Sequence, residues 1–503
     1  MTEFYKMTRN CLKCEKSASK PVLVIGAGPV GLTMAIELAR YGVLVRIIDK
    51  LPTRTTQSRA LAIWPRTLEL LQAAGCVEAF VAHGLHTKAL GIYWRNKILG
   101  CLSFRTIPSE FDYLLMLPQS ETERLLEEYL KTLGCSVERE TEITDFLDKA
   151  ESVLCTLKHK EGSEQLEAAW LIGCDGAHSF VRNRLGIVFE GDTIPINFVL
   201  ADVSITGLSI PSVEPAIFWS SDGAVMIFPI SHDRYRIIAD IGSNPAHMPN
   251  LEEMQTIINQ RGPGGIALSD PIWLSGFNIN ERKVREYRKN RVFLAGDAAH
   301  VHSPAGGQGM NIGMQDAFNL AWKLALVEQG KAKPFLLDSY SIERNGVAQQ
   351  ILSVSRWMTK VVLVRNHRLQ KVRNVIVKLV FSIPIIRRAL ANRLSGIRIN
   401  YPDSPLSAGS RRGLYSPGER LPLKHHFHQG DTPRFLLAAK HSVKARNMLL
   451  RYVSLLEPEL YVPPYANGIW LIRPDGYVAV AAQGGDWTII DTFLSSISVK
   501  KHQ

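Results

Sequence analysis

The stretch Val22-Leu23-Val24-Ile25-Gly26-Ala27-Gly28-Pro29-Val30-Gly31 decides the fold. Four consecutive apolar residues suit a strand covered on both faces of a parallel sheet. They run straight into glycines spaced G-x-G-x-x-G, and a helical pattern follows over 32–40. Gly42 ends that helix, and a second apolar strand over 43–48 ends at Asp49. Together these make a βαβ unit with a dinucleotide-binding fingerprint in its proper context. Gly26 permits the tight turn, Gly28 lets a pyrophosphate approach the backbone, and Gly31 lets helix and strand pack closely. The helix N-terminus presents unpaired N–H groups to the phosphates. Asp49, 21 residues beyond Gly28, can accept hydrogen bonds from an adenosine ribose. Gly26, Gly28, Pro29, Gly31 and Asp49 are therefore the first cofactor-binding candidates.

Two later segments repeat the pattern of an apolar strand ending at an acid. Trp170-Leu171-Ile172-Gly173-Cys174 leads into Asp175-Gly176-Ala177-His178-Ser179 and then Arg182. Arg291-Val292-Phe293-Leu294-Ala295 leads into Gly296-Asp297-Ala298-Ala299-His300. Ligands of open α/β sheets bind outside the carboxyl ends of the strands, so Asp49, Asp175 and Asp297 are expected to converge on one extended dinucleotide. The third segment continues into Pro304-Ala305-Gly306-Gly307-Gln308-Gly309-Met310-Asn311, with a helix expected over 312–328. A glycine-rich loop opening a helix offers N–H donors and a positive dipole end to an electron-rich group.

Fingerprint, Asp-Gly motif and Gly-Asp motif in this order resemble the group A flavoprotein monooxygenases, the para-hydroxybenzoate hydroxylase family. The similarity is greatest to its phenol hydroxylase and aromatic polyketide hydroxylase branch. Arg59-Ala60 and Pro65-Arg66-Thr67-Leu68-Glu69-Leu70-Leu71 resemble that branch after the second strand, Leu117-Pro118-Gln119 its next cofactor contact, and Leu337-Asp338-Ser339-Tyr340 with Glu343-Arg344 the segment after its flavin helix. Gly346 stands where the family usually has proline, which predicts a looser start to the helix there.

The resemblance implies non-covalent FAD, with NADPH or NADH and O2 as co-substrates, and hydroxylation of an aromatic, phenolic or polyketide-like substrate through a flavin C4a-hydroperoxide. It places Arg59 and Gln119 at the pyrophosphate and ribityl region, and Asp297 on the ribityl hydroxyls. Gly307, Gly309, Met310 and Asn311 would line the isoalloxazine, with Pro304 shaping the flavin face. Asp175 and Arg182 would serve FAD and the transient NAD(P)H. No protein base is assigned; His232, His300 and His302 are candidates by residue type only. Other enzymes on the same flavin fold, a quinone-pathway hydroxylase or a geranylgeranyl-type reductase, and an inactive FAD-binding protein remain as alternatives.

The expected fold is α/β, α+β overall. A Rossmann-like three-layer FAD-binding domain (about 20–85, 116–185 and 286–400) is interleaved with an antiparallel-sheet substrate domain (about 86–115 and 186–285). Strands are expected over 198–205, 216–230 and 235–241 from their alternation. Phe218, Met226 and Phe228 are the substrate-pocket candidates. Residues 1–19 read as a disordered lead, and 401–503 resemble the thioredoxin-like C-terminal domain of the same branch, without its cysteines.

The hydrophobic and charged fractions of the 503-residue chain, 46% and 21%, are those of a soluble globular protein. All seven cysteines lie between Cys11 and Cys174, which is no disulfide framework and fits a cytoplasmic setting. Cys11-x-x-Cys14 lacks the second pair that zinc would need, and nothing completes a metal site around His425, His426 and His428, so no metal is expected. The net charge of +12 is largely local: residues 360–398 carry ten Lys or Arg and no Asp or Glu. That distribution argues against nucleic acid and suggests either a solvated basic face or weak membrane-surface contact. A monomer or homodimer is expected.

Overall fold

Val22–Ile25 is buried along its whole length and sits inside a six-stranded sheet. The order is Arg288–Lys289, Val292–Leu294, Trp170–Gly173, Val22–Ile25, Val45–Ile48, Val137–Glu138, parallel throughout except for the first pair. Burial on both faces explains why these strands are continuously apolar. Register decides the site: Ile25 stands level with Ile48 and Gly173, and Gly173 with Leu294. The three acid-bearing turns therefore leave one edge of one sheet. This computed structural model describes residues 20–499, apart from 56, 57, 59, 305, 365, 410–414, 423–431 and 466.

Helix Pro29–Arg40 packs against helix Gly309–Glu328. The latter is buried from Asn311 to Leu326, its polar residues included. It begins at Gly309, three residues earlier than the apolar pattern predicts, because the glycine loop itself makes its first turn.

The second large sheet is eight-stranded and mostly antiparallel. Its order is His300–Val301, Ala267–Lys283, Glu190–Thr206, Arg234–Gly242, Ala224–Pro229, Ala216–Trp219, Ala89–Trp94, Lys97–Ser103. One face packs under helix Leu251–Arg261, where Phe218, Val225, Ile227 and Ile237 meet Met254 and Ile258. The strand expected over 216–230 is two strands. A turn over 220–223, closed by the Ser220 amide on the Gly223 carbonyl at 2.9 Å, divides it, and Gly223 takes φ +137° there. The Ser-Ser-Asp-Gly turn chemistry outweighs the alternation.

Helix Asp338–Val362 runs unbroken through Gly346, so the looser start is not found. Buried Glu343, Arg344, Val347 and Ala348 flank the glycine. Their packing offsets its helix penalty of about 1 kcal/mol. The basic segment forms helices His367–Ser382 and Pro384–Leu394. None of the described helices is long and apolar enough to cross a membrane.

Beyond Tyr401, a five-stranded mixed sheet has the order Ala408–Gly409, Val478–Gln483, Gly468–Ile472, Phe435–Ala438, Leu456–Tyr461. Helices Val443–Arg451 and Thr488–Ile497 accompany it. Phe435, Leu437, Ile490 and Phe493 pack against Trp322, Ala325 and Leu326 of the long buried helix. Beside this apolar contact, Arg473 donates to Glu343 Oε1 and Oε2 at 2.6 and 2.9 Å, and Lys323 donates to Glu343 Oε2 at 2.8 Å, all fully buried.

Candidate functional site

The fingerprint turn is held by backbone sterics. Gly26 has φ +97°, and a Cβ there would lie 2.5 Å from the Cys174 carbonyl oxygen. A Cβ on Gly31 would lie 1.8 Å from the Gly26 carbonyl oxygen, so helix and strand could not approach. Gly28 differs: a Cβ there would meet nothing within 4 Å. Space is thus left at the one position where the fingerprint requires a pyrophosphate. Helix Pro29–Arg40 begins at Gly28 with no side-chain cap, leaving its first amides available. Asp49 braces the turn, with Oδ2 accepting from the Ala27 amide at 2.7 Å and Oδ1 from the Leu51 amide at 2.9 Å. Each oxygen retains a lone pair for a ribose hydroxyl.

Gln119 opens helix Gln119–Thr132 against the segment after the second strand. Its amide donates to Ser58 Oγ at 2.8 Å, and its Oε1 accepts from the Ala60 amide at 3.2 Å. Its Nε2 donates to Glu123 at 2.9 Å. Burial pushes the Glu123 carboxyl up to about 7. The expectation for Arg59 falls outside the described residues, as do those for residues 1–19, Cys11, Cys14, His425, His426 and His428.

In the second motif, Asp175 Oδ2 accepts from the Val181 amide at 3.1 Å, while Oδ1 is buried without a partner. Burial raises this carboxyl above its ordinary range. An unsatisfied buried acceptor at the strand edge is what a ligand hydroxyl would complete. Arg182 is buried and donates to the carbonyls of Ala298 at 3.1 Å and Ala177 at 2.9 Å. It also lies over the Phe189 ring at 4.0 Å. Its terminal nitrogens thus tie the second acid turn to the third.

Asp297 sits exposed on the short 3-10 turn Gly296–Ala298. Asp316 fixes that turn from below: its Oδ2 accepts from the Gly296 amide at 2.9 Å and from His300 Nε2 at 2.8 Å. Arg344 donates to Asp316 Oδ1 at 2.5 Å, to Tyr401 Oη at 2.9 Å and to the Ile312 carbonyl at 3.0 Å. Asp316 was not singled out from sequence, and Arg344 entered only as part of the family-like segment Glu343-Arg344. A carboxylate among the small and apolar residues of this helix pattern was the available signal.

The glycine loop is shaped by Gly306 at φ +92° and Gly307 at φ +61°. Trp64 Nε1 donates to the Gly306 carbonyl at 2.9 Å. Asn311 Oδ1 accepts from the Trp64 amide at 2.8 Å, and its Nδ2 donates to the Ala62 and Gly307 carbonyls at 2.8 and 3.0 Å. Asn311 is therefore the clamp of the loop. Helix Gly309–Glu328 begins at Gln308, again with no side-chain cap. Pro304 and Gly307 are exposed at the loop surface, and Met310 packs half-buried on the sheet core.

Of the histidines, His232 is exposed in the turn before strand Arg234–Gly242, and His300 is buried on Asp316. His302 Nδ1 donates to the Ser303 carbonyl at 2.8 Å, so its Nε2 is a bare acceptor, buried and unpaired. Burial pushes the ring down to about 4. A Cβ on Gly309 would stand 3.9 Å from that Nε2, which places the imidazole beside the first turn of the loop helix.

The sheet pleat separates the three pocket candidates. Phe218 is fully buried on the helix-facing side, stacked on Tyr93 at 4.9 Å. Met226 and Phe228 are half-buried on the opposite side. Phe228 packs into the cluster that holds Leu61, Trp64 and Leu394, next to the glycine loop.

An extended dinucleotide suits this edge: an opening at Gly28, two helix N-termini without side-chain caps, an orphan oxygen on Asp175, and a clamped glycine loop. Comparison with known proteins agrees. The FAD binding domain family model matches residues 19–355. A 6-methylpretetramide 4-monooxygenase of Streptomyces rimosus is 35% identical, over 95% of this chain and 93% of its own. Pentachlorophenol 4-monooxygenase of Sphingobium chlorophenolicum is 35% identical, over 81% of this chain and 76% of its own. Among solved structures, an anhydrotetracycline hydroxylase from Streptomyces rimosus superposes with a TM-score of 0.79 at 29% identity, covering 95% of this chain and 99% of that one. The chain belongs to the FAD-dependent aromatic monooxygenases.

Proposed function

We propose that this monooxygenase hydroxylates a phenolic ring in a polycyclic, polyketide-like substrate, with NAD(P)H as reductant and O2 as oxygen donor. The observation that carries this reading is the placement of Met226 and Phe228. They leave the substrate sheet on the side of the Trp64–Gly306 contact, so an apolar wall faces the clamped glycine loop. Similarity across nearly the whole chain to enzymes named for tetracycline-type rings favours a multi-ring substrate over a single phenol.

Bound FAD supplies hydride acceptance from NAD(P)H and activation of O2. The protein's part is binding, orientation and electrostatics. The amides of helix Pro29–Arg40 would meet the pyrophosphate, and Asp49 the adenosine ribose. Asp297 would bind the ribityl hydroxyls, and Asp175 would complete the FAD contact through its orphan oxygen. The open N-terminus of helix Gly309–Glu328 would stabilise negative charge on the ring edge. Arg182 would act through the two turns it joins. His302 would offer Nε2 as a neutral hydrogen-bond acceptor, because a ring that loses its proton near pH 4 is too weak a base for phenol activation at neutral pH. The substrate's own hydroxyl would activate the ring, with Met226 and Phe228 excluding water.

We also read residues 401–503 as a thioredoxin-like unit with a structural task. Its strand–strand–helix–strand–strand–strand–helix order supports this, and the absence of cysteine there removes disulfide chemistry. A cytoplasmic setting is supported by the free state of Cys76, Cys101, Cys135, Cys155 and Cys174.

Purified protein would be screened with phenols and polycyclic hydroxyaromatics for stimulated NAD(P)H oxidation under isotopically labelled O2. Product carrying one labelled oxygen is expected. Substrate turnover without O2 and without oxygen incorporation would instead favour a reductase on this fold.

A further inference from the structure

Helix His367–Ser382 has its apolar residues on both sides, and among the described residues only one side is covered. Gln370, Arg373 and Val377 form the buried face. Arg373 lies over the Trp219 ring at 4.3 Å, Gln370 donates to the Ser221 carbonyl at 3.2 Å, and Phe381 presses on Gly100. This face roofs the substrate sheet on the side of Met226 and Phe228. On the opposite side, Leu369, Val372, Val375, Ile376 and Leu379 each stand 53–70% exposed. Their spacing puts them within one stripe of the helix, about 120° wide at 100° per residue. Ile385, at the start of the next helix, is 76% exposed and extends the apolar surface. Arg368, Lys371, Lys378 and Arg388 are exposed around it.

An exposed apolar stripe of this kind needs a cover, and its charge selects which. A two-fold contact between copies would press a segment with ten basic and no acidic residues against itself. A convex helix with separate aliphatic side chains makes no groove for a peptide. An anionic lipid surface answers both features, accepting aliphatic side chains at the acyl boundary and basic heads among the phosphates. We propose that helix His367–Ser382 and the start of the helix after it lie on anionic membranes, holding the substrate sheet against the bilayer without crossing it.

The test uses the full chain with its flavin, sedimented with vesicles of phosphatidylcholine alone or mixed with phosphatidylglycerol. Binding to the anionic vesicles is expected to be about tenfold or more stronger, and to weaken with salt. Replacing Lys371→Gln and Lys378→Gln together is expected to weaken it about 30-fold. The triple variant Leu369→Glu, Ile376→Glu, Leu379→Glu is expected to abolish it. Both variants should keep flavin absorbance and NAD(P)H oxidation, which separates lost docking from lost folding. The proposal is overturned by absence of vesicle binding, by undiminished binding of the triple variant, or by binding of polyglutamate but not vesicles. A dimer in light scattering that the triple variant converts to monomer would assign the face to a second copy instead.

Discussion

Asp316 accepts a hydrogen bond from His300 Nε2 at 2.8 Å in a place with no access to solvent, and the same oxygen holds the Gly296 amide at 2.9 Å. The turn that presents Asp297 is therefore set by a residue on a different element, the helix that starts at the glycine loop. Arg344 supplies the neutralising charge, with its guanidinium 2.5 Å from the other carboxylate oxygen.

Replacing Asp316 alone should be costly. Asp316→Ala leaves the Arg344 guanidinium buried and uncompensated, and a loss of about 3–5 kcal/mol is expected in chemical melts. The double variant Asp316→Leu, Arg344→Met should recover part of that stability yet still bind FAD poorly, because the Gly296 amide loses its acceptor. Full recovery of both properties would show that the carboxylate does not position the turn.

Gly28 and Gly31 should fail differently. Gly31→Ala puts a Cβ 1.8 Å from a backbone oxygen and should prevent folding of the nucleotide unit. Gly28→Ala has free space around it and should melt as wild type does in the absence of FAD. Its defect should be cofactor affinity, read as a colourless purified protein and a FAD titration shifted about tenfold or more, since a methyl blocks approach of the pyrophosphate. Wild-type flavin content in Gly28→Ala would remove the pyrophosphate from this turn.

Two buried groups give stability opposite pH dependences. The His302 ring falls from 6.5 to about 4 on folding, so its contribution is present above pH 6.5 and is lost as pH falls toward 4. Glu123 rises from 4.5 to about 7, so its contribution is present below pH 4.5 and is lost as pH rises through 7. Denaturation at a series of pH values should show His302→Gln removing the rise in stability between about pH 4 and 6.5, and Glu123→Gln removing the fall between about pH 4.5 and 7. For His302 the change in slope is at most about 1.4 kcal/mol per pH unit, one proton's worth.

The contact between the C-terminal unit and helix Gly309–Glu328 should depend on Arg473. Arg473→Met leaves Glu343 paired with Lys323 alone, and Asp475 loses its guanidinium. A loss of about 3 kcal/mol or more is expected. Limited proteolysis should then release a fragment beginning near 401, while wild type resists. Equal resistance would mean that the apolar contact of Phe435 with Trp322 suffices.

The dinucleotide edge was legible because its determinants are local. A glycine that must take φ +97°, a helix that must start without a cap, and an acid that must end a strand all leave their mark within a few residues. The same locality made the strands at 22, 170 and 292 readable as continuously apolar runs. Where a determinant acts across the chain, no such mark exists. Asn311 clamps the glycine loop by bonding Trp64, 247 residues away, and Asp316 is set by Arg344 from another helix. Phe218 and Phe228 read alike in sequence, yet the turn at 220–223 and the pleat put them on opposite faces of one sheet. By itself the sequence determined which cofactor class binds and which glycine turn opens the first helix of the sheet, since backbone geometry at glycine is a property of the residue. Only the tertiary structure decided which side chains brace the acids and which aromatic faces the loop, because those depend on strand register and on burial of charge by residues distant in the chain.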